Sequence, residues 1–371
     1  MKSKPFKFIV SGGGTGGHIF PAISIANAIK ERWNDAEIIF VGALGRMEME
    51  RVPAAGYKIV GLPVAGFDRK NLLKNVSVAF KLLKSMNMAR KVVTSFKPDI
   101  AIGVGGYASG PVLKAAAAKG IPTLLQEQNS YAGVTNKLLA KSATKICVAY
   151  EGMESFFSKE KIVLTGNPTR QDLKISEKNR AEGYKHFALN EKKKTILMLG
   201  GSLGARTLND SIVGAFNQLA GSEVQVIWQC GKFYYDEMKK LESMDKIPKN
   251  VHLYDFVSRM DLAYSVSDLI ISRAGAGSIS EFSILKRPVI LVPSPNVSED
   301  HQTKNAMALV KHDAAVMVRD MDAREELFNT ALCLIADDNK LSTLSNNISN
   351  LAQHNSAQRI VDEIEKIITK K

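Results

Sequence analysis

The chain has 371 residues, 45% hydrophobic and 23% charged, with 27 glycines and 12 prolines. This is ordinary globular usage, which excludes fibrous, collagenous and disordered classes, and the length suits two domains of about 150 to 200 residues better than one core. The 50 basic and 37 acidic residues leave a net charge of +13, so an acidic partner is expected. Nucleic acid, an anionic membrane and a phosphorylated small molecule all fit, and composition does not choose among them.

The N-terminal stretch MKSKPFKFIVSGGG starts with charge, but its apolar run is too short for the core of a signal peptide. No run approaches the roughly 18 apolar residues of a membrane-spanning helix, so none is expected. Cys147, Cys230 and Cys333 are far apart and form no CxxC pair. They read as free thiols of a reducing compartment, and a cytoplasmic protein is expected.

Short apolar runs predict strands at Phe6–Val10, Glu37–Val41, Ile100–Val104, Thr123–Gln126, Lys145–Val148, Thr195–Leu199, Gln225–Gln229, Leu269–Ser272 and Val289–Val292, with another at Ala315–Val318. Helical patterns such as Pro21–Trp33 and Ala205–Leu219 lie between them. This rhythm implies βαβ units and parallel sheets covered on both faces. A polar, charged stretch over 171–194 follows Gly166-Asn-Pro-Thr-Arg170 and marks a boundary. The expected division is 1–168, 169–350 and a C-terminal helix in 351–371. That helix, Gln358–Ile368, carries Ile360, Val361, Ile364, Ile367 and Ile368 at helical spacing and is expected to pack back on a domain, with the N-terminal one as the choice.

Each half opens with a strand, a glycine-rich turn and a helix. In the first, Gly12-Gly-Gly-Thr-Gly-Gly17-His18 lets the backbone approach a ligand closely, and the following helix start can hold an anion. Gly12, Gly14 and Gly17 fit G-x-G-x-x-G, but the second strand ends Phe40-Val41-Gly42-Ala43 without the carboxylate a nicotinamide dinucleotide site needs. The loops Gly103–Pro111 and Gly200–Gly204 also follow strands. None reads GxxxxGK[ST], so an ATP-type P-loop is absent.

In the second half, Arg273-Ala-Gly-Ala-Gly-Ser278-Ile-Ser-Glu281 follows a strand. Ser278-x-x-Glu281 reads either as a capping box or as a carboxylate for a sugar diol, and the two roles compete for one side chain. Asp300-His301-Gln302-Thr-Lys-Asn305 reads either as a polar helix start or as a cluster suited to sugar hydroxyls. Asp320-Met-Asp322 reads as a loop, and no metal is required. Between 66 and 97 a basic, amphipathic stretch places Leu72, Val76, Ala79, Leu83 and Met86 on one face and Lys70, Lys74, Lys81 and Lys84 opposite. It reads as a core-packed helix with a solvated basic side. That side would attract anionic lipid, with Phe67, Leu73 and Phe80 able to enter the interface.

Taken together, GGTGGHIFPA (13–22), GVGGYASGP (103–111), QEQNSYAGVTNKLLA (126–140), GNPTR (166–170), GGSLGA (200–205), RAGAGSISE (273–281) and DHQTKNA (300–306) resemble the MurG family of N-acetylglucosaminyltransferases of peptidoglycan synthesis. The resemblance implies an α/β GT-B fold, two Rossmann-like domains with parallel sheets facing across a cleft. It implies inverting transfer of GlcNAc from UDP-GlcNAc to the C4 hydroxyl of the muramoyl sugar of lipid I, giving lipid II and UDP. The partners are then UDP-GlcNAc, lipid I and the anionic cytoplasmic face of the inner membrane, met peripherally, with no nucleic acid and no cofactor.

Carried across by motif, Ser202 and Ala276, Gly277 and Ser278 hold the diphosphate, Glu281 the ribose, and the Val257 backbone the uracil. Asn129, His301 and Gln302 meet the GlcNAc, and Thr15, Gly16, Gly17 and Arg170 line the cleft. His18 and Glu127 sit near the acceptor as rival bases, and Gly105, Gly106, Tyr107 and Ser109 lie on the acceptor side. His18 leads because imidazole titrates near neutrality. Ser278 stands where threonine is common in the family and keeps the hydroxyl; Val257 stands where isoleucine is common. The rival readings are a UDP-GlcNAc 2-epimerase-like enzyme and a non-catalytic nucleotide-sugar-binding protein.

Overall fold

The computed structural model describes residues 4–65, 74–169, 173, 175–201 and 203–369, with backbone only at 74–76 and 298. The chain divides into two compact units. One comprises Met1–Arg170 and Gln353–Lys371, the other Gln171–Ala352.

The first unit is built on a seven-stranded sheet. Its strands are β1 (Lys7–Ser11), β2 (Glu37–Ala43), β3 (Lys58–Leu62), β4 (Ile100–Gly103), β5 (Thr123–Glu127), β6 (Lys145–Val148) and β7 (Ile162–Leu164). They run in the order β3-β2-β1-β4-β5-β6-β7, and every pairing is parallel. Successive side chains of a strand point to opposite faces. Phe8 and Val10 therefore join one core layer with Ile100 and Ile102, while Ile9 joins the other with Ala101. The helix Ser356–Ile368 packs on the helix Gly16–Arg32 and buries Ile360, Val361, Ile364 and Ile368 in the first layer. Arg32 pairs with Asp362 and Glu365 at the rim of that contact.

The second unit has six strands: β8 (Lys194–Leu199), β9 (Val224–Gln229), β10 (Val251–Tyr254), β11 (Leu269–Ser272), β12 (Val289–Leu291) and β13 (Val316–Met317). Their order is β10-β9-β8-β11-β12-β13, again all parallel. In each sheet the strand order reverses beside the first strand of the unit, between β1 and β4 and between β8 and β11. Ligands of open α/β sheets bind beyond the carboxyl ends at such points.

Three sequence expectations are corrected. The helix after β1 starts at Gly16 and not at Pro21, because the extended Thr15 turns its carbonyl to the His18 and Ile19 amides, 3.1 and 3.2 Å away. His18 is thus in the first helical turn. The pattern over 205–219 is two helices, Arg206–Gly214 and Phe216–Ala220, separated where Gly214, a poor helix former, precedes Ala215 at φ −96° and ψ 3°. In the helix Lys74–Phe96 the packed face is Val78, Ser85, Ala89 and Val93, so Ala79 and Leu83, expected inside, are exposed. Among the described residues, no helix is long and apolar enough to cross a membrane.

Candidate active site

In the first unit the loops after β1 and β4 interlock. A Cβ at Gly106 would fall 2.4 Å from the Gly13 carbonyl oxygen, and Gly106 itself sits at φ +83°, so only glycine fits. Ser109 was expected on the acceptor side. It is buried, with its hydroxyl 2.8 Å from both the Ser11 and the Gly105 carbonyls, clamping β1 to the loop after β4. Gly105 and Gly106 form the wall, and Tyr107 projects from it, mostly exposed. Thr15, Gly16 and Gly17 stand at the other side of the turn, where Thr15 and Gly17 are exposed.

His18 is half-buried against Gly105. Its Nδ1 lies 3.1 Å from the Gly13 carbonyl oxygen and 3.2 Å from Thr15 Oγ1. The carbonyl can only accept, whereas the hydroxyl can play either role, so a proton on Nδ1 satisfies both neighbours. The neutral ring then carries its basic lone pair on Nε2, the nitrogen beside Gly105.

Glu127, the rival base, is 1% exposed at the end of β5. Its Oε1 accepts from the Asn129 amide and side chain, at 3.1 and 3.3 Å. Its Oε2 accepts from the Gly133 amide and Asn136 Nδ2, both at 2.9 Å. A buried carboxylate holding four donors organises its loop. Asn129, expected on the sugar, is one of those donors. A second buried knot joins Gln126, Gln128 and Asn167, with Gln128 also donating to the Val104 carbonyl at 2.8 Å. The thiols of Cys147 and Cys230 are pushed up by burial to about 12 and about 11, which removes them as nucleophiles.

In the second unit, three loops gather beyond β8, β11 and β12. Gln229, at the end of β9, donates to the Gly201 carbonyl at 3.1 Å and accepts the Val257 amide at 3.0 Å. The Val257 side chain is buried, and its N–H is already engaged, so a base could meet the carbonyl of that residue. After β11, the helix Ala276–Ile284 begins behind Gly275, which is extended and gives no side-chain cap. Ala276, Gly277 and Ser278 are its first three residues, whose amides have no partner within the helix. This overturns the capping-box reading. Ser278 is in the third helical position and not at the cap, and Glu281 lies beyond the first turn, where its Oε2 accepts from Tyr264 at 2.8 Å.

Arg273, just before this turn, is held by Asp320 and by the Val292 and Pro293 carbonyls. Asp320 also accepts from Thr207 at 3.0 Å, and Asp322 accepts from Arg319 at 2.6 Å. The Asp320-Met-Asp322 pair is therefore part of the loop scaffold. Asn305 reaches the Ala274 carbonyl at 3.3 Å and ties the helix His301–Val310 to the same turn. His301 and Gln302 open that helix half-buried, and Gln302 accepts from the Ser294 amide at 2.8 Å. Just before them Glu299 and Asp300 hold left-handed φ of +60° and +49°, conformations that cost a non-glycine residue about 1 to 3 kcal/mol and gather at functional turns.

Ser202, Arg170, Phe67 and Leu73 lie outside the described residues, as do Lys70, Leu72 and the side chains of Lys74 and Val76. Sequence reasoning missed Glu48, which is fully buried and holds the first glycine loop. The available signal was its place a few residues past the end of β2, close to where a dinucleotide site carries its acid.

Each of the two parallel α/β units carries a glycine-rich turn at its switch point, the place where open α/β sheets take nucleotides. Residues 8–148 match the glycosyltransferase family 28 N-terminal domain and residues 195–364 its C-terminal domain. The chain is 63% identical, over 99% of its length and all of the relative's, to a Parabacteroides distasonis protein named UDP-N-acetylglucosamine–N-acetylmuramyl-(pentapeptide) pyrophosphoryl-undecaprenol N-acetylglucosamine transferase. A Phocaeicola vulgatus protein of the same name is 60% identical, covering 98% of this chain and 97% of that one. The crystal structure of Acinetobacter baumannii MurG superposes with a TM-score of 0.79 at 30% identity, covering 98% of this chain and 100% of that one. A UDP-N-acetylglucosamine 2-epimerase structure shares the fold alone, at 14% identity and a TM-score of 0.67, with 99% of this chain and 97% of that one covered. The chain belongs to glycosyltransferase family 28.

Proposed function

We propose that the protein transfers GlcNAc from UDP-GlcNAc to the C4 hydroxyl of the MurNAc of lipid I, with inversion, giving lipid II and UDP. The observation that carries this reading is the full-length correspondence with relatives named for that reaction, since every loop described above lies within the matched stretch. In the proposed step, the acceptor oxygen attacks C1 of GlcNAc on the face opposite the diphosphate, and its proton passes to His18 Nε2. The C1–O bond to the diphosphate breaks, and UDP leaves with the bonding pair. The amides of Ala276, Gly277 and Ser278, with Ser202, meet the growing negative charge, a preorganised field at a helix start. Glu281 takes the ribose and the Val257 carbonyl the uracil. Asn129, His301 and Gln302 address the sugar, and Thr15, Gly16, Gly17 and Arg170 border the reacting atoms.

His18 is preferred to Glu127 as base because the bond from Nδ1 to the Gly13 carbonyl leaves Nε2 basic, whereas both Glu127 oxygens already hold donors. The first unit then takes the acceptor, with Gly105, Gly106 and Tyr107 on that side, and the second takes the donor.

The protein would meet lipid I from the anionic cytoplasmic surface of the inner membrane. The helix Lys74–Phe96 supports this, since Phe80 and Leu83 are 71% and 68% exposed beside Lys81 and Lys84. Apolar residues flanked by lysines favour an anionic lipid surface.

The test is UDP release from UDP-GlcNAc with and without a lipid I analogue. Release that depends on the analogue, with a disaccharide of inverted anomeric configuration, is expected. Conversion of UDP-GlcNAc alone would favour an epimerase, and binding without UDP release would favour a non-catalytic protein.

A further inference from the structure

We infer that Glu48 is a positioning residue for His18, acting through the peptide group that joins Gly13 to Gly14; this rests on the reading of His18 as the base. Glu48 opens the helix Glu48–Ala54 and is fully buried. Its Oε1 accepts from the Ala43 amide at 2.9 Å, at the end of β2, and its Oε2 accepts from the Gly14 amide at 3.0 Å. The carbonyl of that same peptide group, Gly13 O, is the acceptor 3.1 Å from His18 Nδ1. Carboxylate, peptide and imidazole thus form one hydrogen-bonded chain.

The chemistry of this chain is directional. A carboxylate drawing on the Gly14 N–H shifts electron density toward the Gly13 oxygen, because linked hydrogen bonds polarise one another. The oxygen then becomes a better acceptor for the Nδ1 proton, and better still when the ring turns cationic on receiving a proton at Nε2. An acid paired directly with a histidine fixes its tautomer and steadies the imidazolium in the same way, and here one peptide group is interposed.

The surrounding sequence keeps this contact open. A Cβ at Gly13 would sit 2.0 Å from Glu48 Oε1, and one at Gly42 would sit 2.6 Å from Glu48 Cγ. Two glycines therefore make room for the carboxylate. The Gly14 amide, which a glycine-rich turn would otherwise offer to a phosphate, is committed to an internal acid. Through this amide the first glycine loop serves the imidazole.

The experiment is a double-mutant cycle on the full chain with Glu48→Gln and His18→Ala, reading kcat, the KM for UDP-GlcNAc and UDP affinity by calorimetry. The Glu48→Gln change keeps the size of the side chain but turns an NH2 toward one of the two amide donors. It is expected to lower kcat about 10- to 100-fold, the scale on which partners of a working imidazole act. UDP affinity and KM should stay within about twofold, and the same change in the His18→Ala background should add nothing. NMR of protein labelled with nitrogen-15 in the histidine rings should show the Nδ1–H tautomer at His18 and its partial loss in Glu48→Gln. Equal losses of kcat in both backgrounds, or an unaltered His18 tautomer, overturn the inference. If Glu48→Gln does not fold, the cycle and the spectra are run with Glu48→Asp, whose shorter side chain cannot reach both amides, and additive losses there overturn it equally. Full turnover by His18→Ala alone would instead remove His18 as base, while the tautomer spectra would still report whether Glu48 governs the ring.

Discussion

The two units use one backbone device, a glycine-rich turn at the switch point of a parallel sheet, with different side chains behind it. In the first unit the turn after β1 is closed by an internal carboxylate: Glu48 takes the Gly14 amide, and the opposite end of that peptide holds His18. In the second unit the strand next to β8 ends in a neutral amide, Gln229, which fastens Gly201 and Val257. The helix after β11, like the helix after β1, starts without a side-chain cap. On the proposed reading, the Gly14 amide is lost to any anion at the first turn, and the diphosphate is assigned to the second. A glycine loop therefore does not by itself announce a phosphate site, because its amides can be taken by a buried side chain, as Gly14 is by Glu48.

The strongest way to break this division is His18→Ala. Loss of a general base typically lowers turnover about 10²- to 10⁴-fold, and UDP affinity should not change, because the charge holding UDP is assigned to the other unit. Steady-state kinetics beside calorimetry on one preparation measures both, and a parallel loss of UDP binding would break the separation. Next comes a pair of glycine changes. Gly106→Ala, with positive φ and a Cβ overlapping the Gly13 oxygen, should lower stability by about 2 to 4 kcal/mol in denaturant titration. Gly277→Ala sits in a helix with nothing within 4 Å of the added carbon, so stability should be unchanged or rise by up to about 1 kcal/mol.

Glu281→Ala should weaken UDP by about 10-fold, roughly 1.4 kcal/mol, with UMP affected alike since the ribose is common to both. The smallest expected effect is at the surface. Phe80→Ser with Leu83→Ser should reduce binding to vesicles containing anionic lipid by a few fold, roughly 1 kcal/mol, without altering UDP affinity. Binding to neutral vesicles as tight as to anionic ones would contradict the contribution of the lysines.

The central strands were legible because they are buried on both faces and read as unbroken apolar runs, as β1, β4, β5, β8 and β11 do. The strands not foreseen, β3, β7 and β10, are all at sheet edges, where most residues are only half-buried and the apolar signal is diluted. The family motifs led to the right loops but not to the direction in which each side chain points. Ser109 and Glu127 belong to recognisable motifs, yet each is turned inward to bind backbone. The Ser278-x-x-Glu281 spacing suggested a cap, but the helix starts three residues earlier behind Gly275, which sequence spacing alone does not reveal. Glu48 carries no periodic signal. Its importance comes from a contact 34 residues away along the chain, visible only once β1 and β2 are paired.

The most direct measurement is a calorimetric titration of UDP into the full chain carrying Ala276→Pro. Proline is suited to the first position of a helix, and Gly275 before it already has the ψ of 136° that a following proline favours, so the helix start should survive while one amide donor disappears. One lost bond to a charged group is worth about 1.5 to 3 kcal/mol, so UDP should bind about 10- to 100-fold more weakly, with circular dichroism unchanged. Wild-type UDP affinity in that variant would contradict the assignment of the diphosphate to the second unit.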